Sequence, residues 1–81
     1  MYFVYALQSL KDNRICVGLT QNLSERLAYH NSGRVSSTKG YRPWKLFYTS
    51  EEFKTRAEAR IREKELKSGY GKEFLKKLVR A

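Results

Sequence analysis

The chain has 81 residues and a formal charge of +9, from 17 Lys and Arg against 8 Asp and Glu. That length suits one small domain and excludes a two-domain enzyme built around an enclosed cavity, because a chain of this size buries only about 60–65% of its unfolded surface. The longest apolar run, residues 1–7, falls far short of the roughly 20 residues that span a bilayer, and the lone Cys16 excludes an internal disulfide partner or a thiolate-rich zinc site. No basic residue precedes that run and no small-residue cleavage site follows it, so it does not read as a signal peptide. The expected compartment is the cytoplasm.

Residues 2–7, YFVYAL, are aromatic, apolar and β-branched, and too short a run for a helix, so they predict a buried strand. Alternation puts Phe3, Tyr5 and Leu7 on one face and Tyr2, Val4 and Ala6 on the other. A polar turn over residues 9–13 leads to a second strand at 14–18, RICVG, the hairpin partner of the first. Asn22 with Glu25 three residues on is a capping-box variant; it opens a helix with Leu23 and Leu27 on its apolar side and Gly33 as terminator. Residues 33–43, GRVSSTKGYRP, predict a mobile loop closed by Pro43, and WKLFYT at 44–49 a third strand.

Thr55 and Glu58 form a second capping box, opening a helix to about Lys67 with Ala59, Glu63 and Leu66 along one stripe and Ala57 and Ile61 on the next. Gly69 and Gly71 punctuate. A last amphipathic helix at 72–80 is expected to turn Phe74, Leu75, Leu78 and Val79 inward. The order ββαβαα predicts an α/β domain, residues 1–81, in which a small three-stranded antiparallel sheet is flanked by helices.

The charge points to a polyanionic partner, nucleic acid or an anionic membrane surface; the plainer reading is a basic protein kept soluble by its charge. Between Glu25 and Glu51 no acidic residue occurs, while Arg26, Arg34, Lys39, Arg42 and Lys45 lie there with Tyr41 and Trp44. Cations interleaved with aromatics suit phosphate contact and base stacking.

Four residues stand out as chemistry, each with a plain structural reading beside it. His30, the single histidine, lies one helical turn after Arg26: either ordinary surface charge, or a proton carrier beside a cation for a phosphoryl transition state. Glu63, among Arg60, Arg62, Lys64 and Lys67, is either a salt-bridged carboxylate or a single oxygen ligand for Mg²⁺ with phosphates held by its basic neighbours. Tyr5 is either a core tyrosine or a phenol that orients a water with help from a cation. Cys16 reads as a small strand hydrophobe, since nothing in the sequence supplies it with a base.

In order and spacing, FVY at 3–5, CVG at 16–18, LSERLAYHNSG at 23–33, STKGYRPWKLFY at 37–48 and EARIREKELKSG at 58–69 resemble the GIY-YIG nuclease superfamily, in its small single-domain bacterial branch. The resemblance implies a metal-dependent endonuclease that cleaves phosphodiester bonds in DNA, or alternatively RNA, with low sequence specificity and a role in repair or recombination. It implies catalytic roles for Tyr5, Arg26, His30 and Glu63, with Arg26 on the scissile phosphate and Glu63 holding one Mg²⁺ or Mn²⁺. Lys39, Arg42, Lys45, Arg60, Arg62, Lys64 and Lys67 are the expected nucleic-acid contacts, and no membrane partner is expected. The second triplet departs from the family's pattern: Cys16 stands where relatives carry a tyrosine, and no asparagine occurs between Ser68 and Leu78. Milder is Phe3 in place of the first triplet's glycine. A nucleic-acid-binding module that cuts weakly or not at all is therefore the alternative on the same fold.

Overall fold

The computed structural model describes residues 1–80, with side chains through Val79. The elements run β1 (Phe3–Ser9), β2 (Ile15–Thr20), α1 (Leu23–Asn31), a short 3-10 turn (Lys39–Tyr41), β3 (Trp44–Thr49), α2 (Arg56–Lys67) and α3 (Gly69–Arg80). The order ββαβαα and the three-stranded antiparallel sheet are as predicted, with strand order β2-β1-β3. β1 is the centre of the sheet because its run is apolar on both faces, whereas each neighbour has only one partner strand.

The predicted alternation along β1 divides the interior in two. Val4 and Ala6 pack with Ala59, Leu66 and Leu75 beneath α2 and α3. Tyr5 and Leu7 pack with Trp44, against Leu23 and Leu27 of α1 and the half-buried Cys16. A bulge in β3 opposite Ala6 and Leu7 shifts the register, so Leu46 faces Leu7 while Phe47 and Tyr48 both join the first cluster. Burying Leu66 and Leu75 completely stabilises the fold by about 1.5–3 kcal/mol each.

Both N-caps form as the sequence indicated, Asn22 Oδ1 accepting from the Glu25 amide at 3.0 Å and Thr55 Oγ1 from the Glu58 amide at 3.2 Å, but the reciprocal half of each box does not: the Asn22 amide donates to Thr20 Oγ1, and Glu58 Oε1 accepts from the Thr55 hydroxyl. The last helix differs. It begins at Gly69 rather than residue 72, because Ser68 caps it: the Ser68 hydroxyl accepts from the Gly71 amide at 3.3 Å and donates to the Glu65 carbonyl at 2.6 Å. Gly71 is needed there for close approach, since a Cβ would overlap the Glu65 carbonyl and the Leu66 backbone. Starting earlier changes nothing in the helical stripe, but α3 packs chiefly against α2 rather than against the sheet. Leu75 is buried, Val79 is half-buried, and Phe74 and Leu78 stay exposed, contrary to the expectation that all four turn inward. The Phe74 ring meets Tyr48 edge-on, with centroids 5.8 Å apart.

The expected mobile loop is instead tied down. The Trp44 indole donates to the Thr38 carbonyl at 2.9 Å, and Ser9 Oγ donates to the Tyr41 carbonyl at 2.6 Å. Asn31 clamps the Trp44 backbone from both sides, accepting from its amide at 2.7 Å and donating to its carbonyl at 3.1 Å. Each bond is made by a residue outside the Gly/Ser-rich stretch, which is why its composition did not show them.

Candidate active site

Tyr5 sits at the centre of the sheet, and its phenol passes over Gly18 on β2, its register partner. A Cβ at residue 18 would lie 2.5 Å from Tyr5 Oη, so only glycine leaves the phenol its path. Beyond Gly18 the hydroxyl meets two side chains of α1. Arg26 Nε donates to Tyr5 Oη at 3.2 Å, and His30 Nε2 lies 3.0 Å from the same oxygen. Arg26 and His30 share a helix face by their four-residue spacing, and the Asn22 cap sets the phase of that face against the sheet. The other ring nitrogen, His30 Nδ1, lies 3.0 Å from Thr38 Oγ1 in the tied-down loop. His30 and Thr38 are both 3% exposed, so the histidine is an interior group rather than a surface one.

The electrostatics follow from burial. Burial pushes the Tyr5 phenol above its ordinary value of 10.0, outweighing the hydrogen bond and charge of Arg26, so at neutral pH the group keeps its proton. His30 is held below the usual imidazole range, first by burial and then by the charge of Arg26. It is a neutral imidazole at neutral pH, with one nitrogen free to accept.

Glu63 lies between Ala59 and Leu66 in the buried stripe of α2, and is 8% exposed. Its carboxylate has Lys67 Nζ at 3.4 Å and Arg60 at 3.7 Å. It is not hydrogen-bonded to Tyr5, Arg26 or His30, yet its charge acts on Tyr5 and Cys16. Cys16 pairs with Leu7 and lies on the Tyr5 face of the sheet, two residues from Gly18. Burial raises its thiol pKa, against the pull of Lys67 and Arg26, so it stays a thiol at neutral pH. Among the described residues no group of three or more His, Cys, Asp or Glu side chains is placed to hold a metal ion.

The residues expected to contact nucleic acid lie on several elements. Arg60 and Lys67 flank Glu63. Lys64 is exposed on α2 and Lys39 on the 3-10 turn. Arg42 is used in the loop, where its Nε donates to the Lys39 carbonyl at 2.7 Å. Arg62, on the same helix as Arg60, Lys64 and Lys67, bonds Tyr48 Oη at 3.2 Å and Glu65 at 3.3 Å, and alternation turns Lys45 away from Tyr5 to the face that α2 covers. Trp44 is buried against Tyr5 and Leu7, and the half-buried Tyr41 is covered by the Arg14 guanidinium, 3.4 Å above its ring, so neither is an open stacking surface.

Sequence reasoning missed three residues: Gly18, Thr38 and Tyr29. The glycine of CVG and the STKG motif were visible as strings, but their use depends on what crosses them in space. Tyr29 is 40% exposed, with the Arg26 guanidinium carbon 5.3 Å from its ring centroid. Together with Asn22, Arg26, Ser32 and Arg34 it lines an open groove of about 760 Å³ beside α1.

This arrangement has relatives. Residues 1–78 match the family described as the GIY-YIG catalytic domain. The UPF0213 protein SH2523 of Staphylococcus haemolyticus is 40% identical over 68 residues, covering 83% of this chain and 80% of that protein. With nearly the whole domain matched, and the triplets that carry Tyr5 and Gly18 paired across β1 and β2, the chain belongs to the GIY-YIG nuclease domain family.

Proposed function

We propose that this protein is a divalent-metal-dependent endonuclease that hydrolyses phosphodiester bonds in DNA with little sequence preference, in the strand processing of repair or recombination. One observation carries the reading: Arg26, Tyr5 and His30, from two different elements, converge in a single hydrogen-bonded chain with a neutral imidazole at its end. Arg26 lines the open groove and presents its guanidinium to a phosphate there. Tyr5 and His30 move the proton. The attacking water gives a proton to Tyr5 Oη as that oxygen gives its own to His30, so the phenol never has to persist as an anion at its raised pKa. The water oxygen forms its bond to phosphorus, and the bond to the leaving sugar oxygen breaks with its electron pair.

Glu63 would hold the metal. Its cationic partners stand at 3.4 and 3.7 Å, longer than the roughly 2.7–2.9 Å of close charge-assisted hydrogen bonds, so both oxygens keep lone pairs to offer. One hard carboxylate fits a mostly hydrated Mg²⁺ or Mn²⁺ and does not fit a fully protein-ligated zinc. Such an ion, when bound, offsets charge on the phosphoryl oxygens. A domain this small has little surface for reading base edges, which supports low sequence preference.

The double pairing of Glu63 with Lys67 and Arg60 favours a second reading, a nucleic-acid-binding module that does not cut. The two separate in one experiment. Purified protein is incubated with supercoiled plasmid, hairpin and single-stranded DNA in Mg²⁺, Mn²⁺ or EDTA. Cleavage that needs metal supports the nuclease. Salt-sensitive binding without cleavage in either metal overturns it in favour of the binder.

A further inference from the structure

We infer that Thr38 is a positioning residue that holds His30 as the Nδ1–H tautomer, leaving Nε2 free to take the Tyr5 proton. The inference rests on the nuclease reading for its consequence in catalysis, but its structural content stands on the hydrogen bonds alone. Tyr5 is 2% exposed, and of the two groups bonded to its oxygen Arg26 can only donate. His30 Nε2 is therefore the acceptor for the Tyr5 hydrogen. That places the imidazole hydrogen on Nδ1, where Thr38 Oγ1 accepts it at 3.0 Å. The Thr38 hydroxyl in turn donates to the Val35 carbonyl at 3.4 Å.

The opposite arrangement, with Thr38 donating to Nδ1 and Nε2–H donating to Tyr5, shortens nothing and strands the Tyr5 hydrogen in a buried position. That arrangement would also take the Thr38 hydrogen away from the Val35 carbonyl, so both losses fall on the same side. Thr38 can hold this direction because its own position is set from elsewhere. Its carbonyl accepts the Trp44 indole at 2.9 Å, and its amide bonds Val35 at 3.1 Å. When Nε2 takes a proton, the cation that forms already has its second N–H satisfied.

The chain contains a single histidine, so ring-nitrogen NMR reports His30 without assignment ambiguity. In ¹⁵N-labelled protein near pH 8, long-range proton–nitrogen correlations are expected to show a protonated Nδ1 and an unprotonated Nε2. Tyr5→Phe removes the hydrogen that needs Nε2 as its acceptor and leaves Thr38 to set the ring alone: Tyr5→Phe is expected to keep Nδ1–H, Tyr5→Phe combined with Thr38→Val, checked for folding by its amide spectrum, to shift toward Nε2–H, and Tyr5→Phe combined with Thr38→Ser to restore Nδ1–H. In nicking assays Thr38→Val should lower the single-turnover rate by about 10-fold or more and move the acid limb of its pH profile, with substrate KM unchanged and with rescue by serine. An Nε2–H ring in the wild type, or an unchanged tautomer in the folded protein carrying both Tyr5→Phe and Thr38→Val, overturns the inference. An expected tautomer in a wild type that never cleaves leaves the positioning standing and removes the nuclease reading instead.

Discussion

Gly18 and Tyr5 are register partners on adjacent strands, and the glycine is empty where the tyrosine is long: the phenol crosses the position a Cβ would fill, 2.5 Å from its oxygen. The hydroxyl reaches Arg26 and His30 only because of that gap. Gly18→Ala should therefore displace the Tyr5 ring, break both hydrogen bonds and cost about 1–3 kcal/mol from overpacking. The expected signs are a lower melting temperature and a cleavage rate as poor as that of Tyr5→Phe. A Gly18→Ala protein with wild-type stability and rate would show that the ring has room to move.

His30 links the site to pH. Its pKa in the fold lies below the roughly 6.5 of an unfolded imidazole, so between those values the unfolded chain binds a proton that the folded one refuses. Stability from this group is fully present above about pH 6.5 and is lost as pH falls through the folded pKa. Melting temperature measured from pH 8 down to pH 5 should decline in that window, and the decline should be shallower in His30→Gln. If both proteins lose stability in parallel, the imidazole is not what titrates.

Glu63→Gln keeps the shape of the side chain and removes its charge. Metal-dependent nicking should disappear while the fold survives, because the lost ion pairs to Lys67 and Arg60 involve largely exposed cations. DNA affinity should hold or increase, with two cations released from their carboxylate. Undiminished nicking in Mg²⁺ would leave Glu63 as an ion-pair partner only.

Cys16 faces the Tyr5 side of the sheet in the field of Arg26, Lys67 and Glu63, half-buried and with its thiol protonated. A phenol at this position would extend toward those charges. Cys16→Tyr should raise the nicking rate by about 10-fold if water activation is limiting. Melting temperature read on the same preparation separates this from overpacking, which would cost about 1–3 kcal/mol. A stable variant with no gain means that Tyr5 and His30 already suffice.

Binding should weaken steeply with salt, given the net charge of +9. Neutralising about four to six phosphates gives a slope of log affinity on log salt of about −3 to −5. Titrations of labelled DNA at several salt concentrations measure it, and a flat response would remove nucleic acid as the partner in either reading.

Most of the fold was legible along the chain, because the signals were local. The two-faced run of β1, the Asn22 and Thr55 caps and the α2 stripe each act over a few residues, and all three sit where their period and capping chemistry put them. The convergence of Tyr5, Arg26 and His30 was legible only in part. Arg26 and His30 could be paired by helix spacing, but Tyr5 joins them through a space that exists because residue 18, on another strand, has no side chain. The loop and the last helix needed the tertiary structure outright. Asn31 and Ser9 secure residues far from them in sequence, Trp44 reaches back into the loop, and the packing of α3 chiefly on α2 leaves Leu75 covered and Phe74 partly exposed beside Tyr48. Period and capping are properties of a segment by itself. Hydrogen bonds between segments, and the depth at which a helix packs, depend on which surfaces meet once the chain has closed on itself.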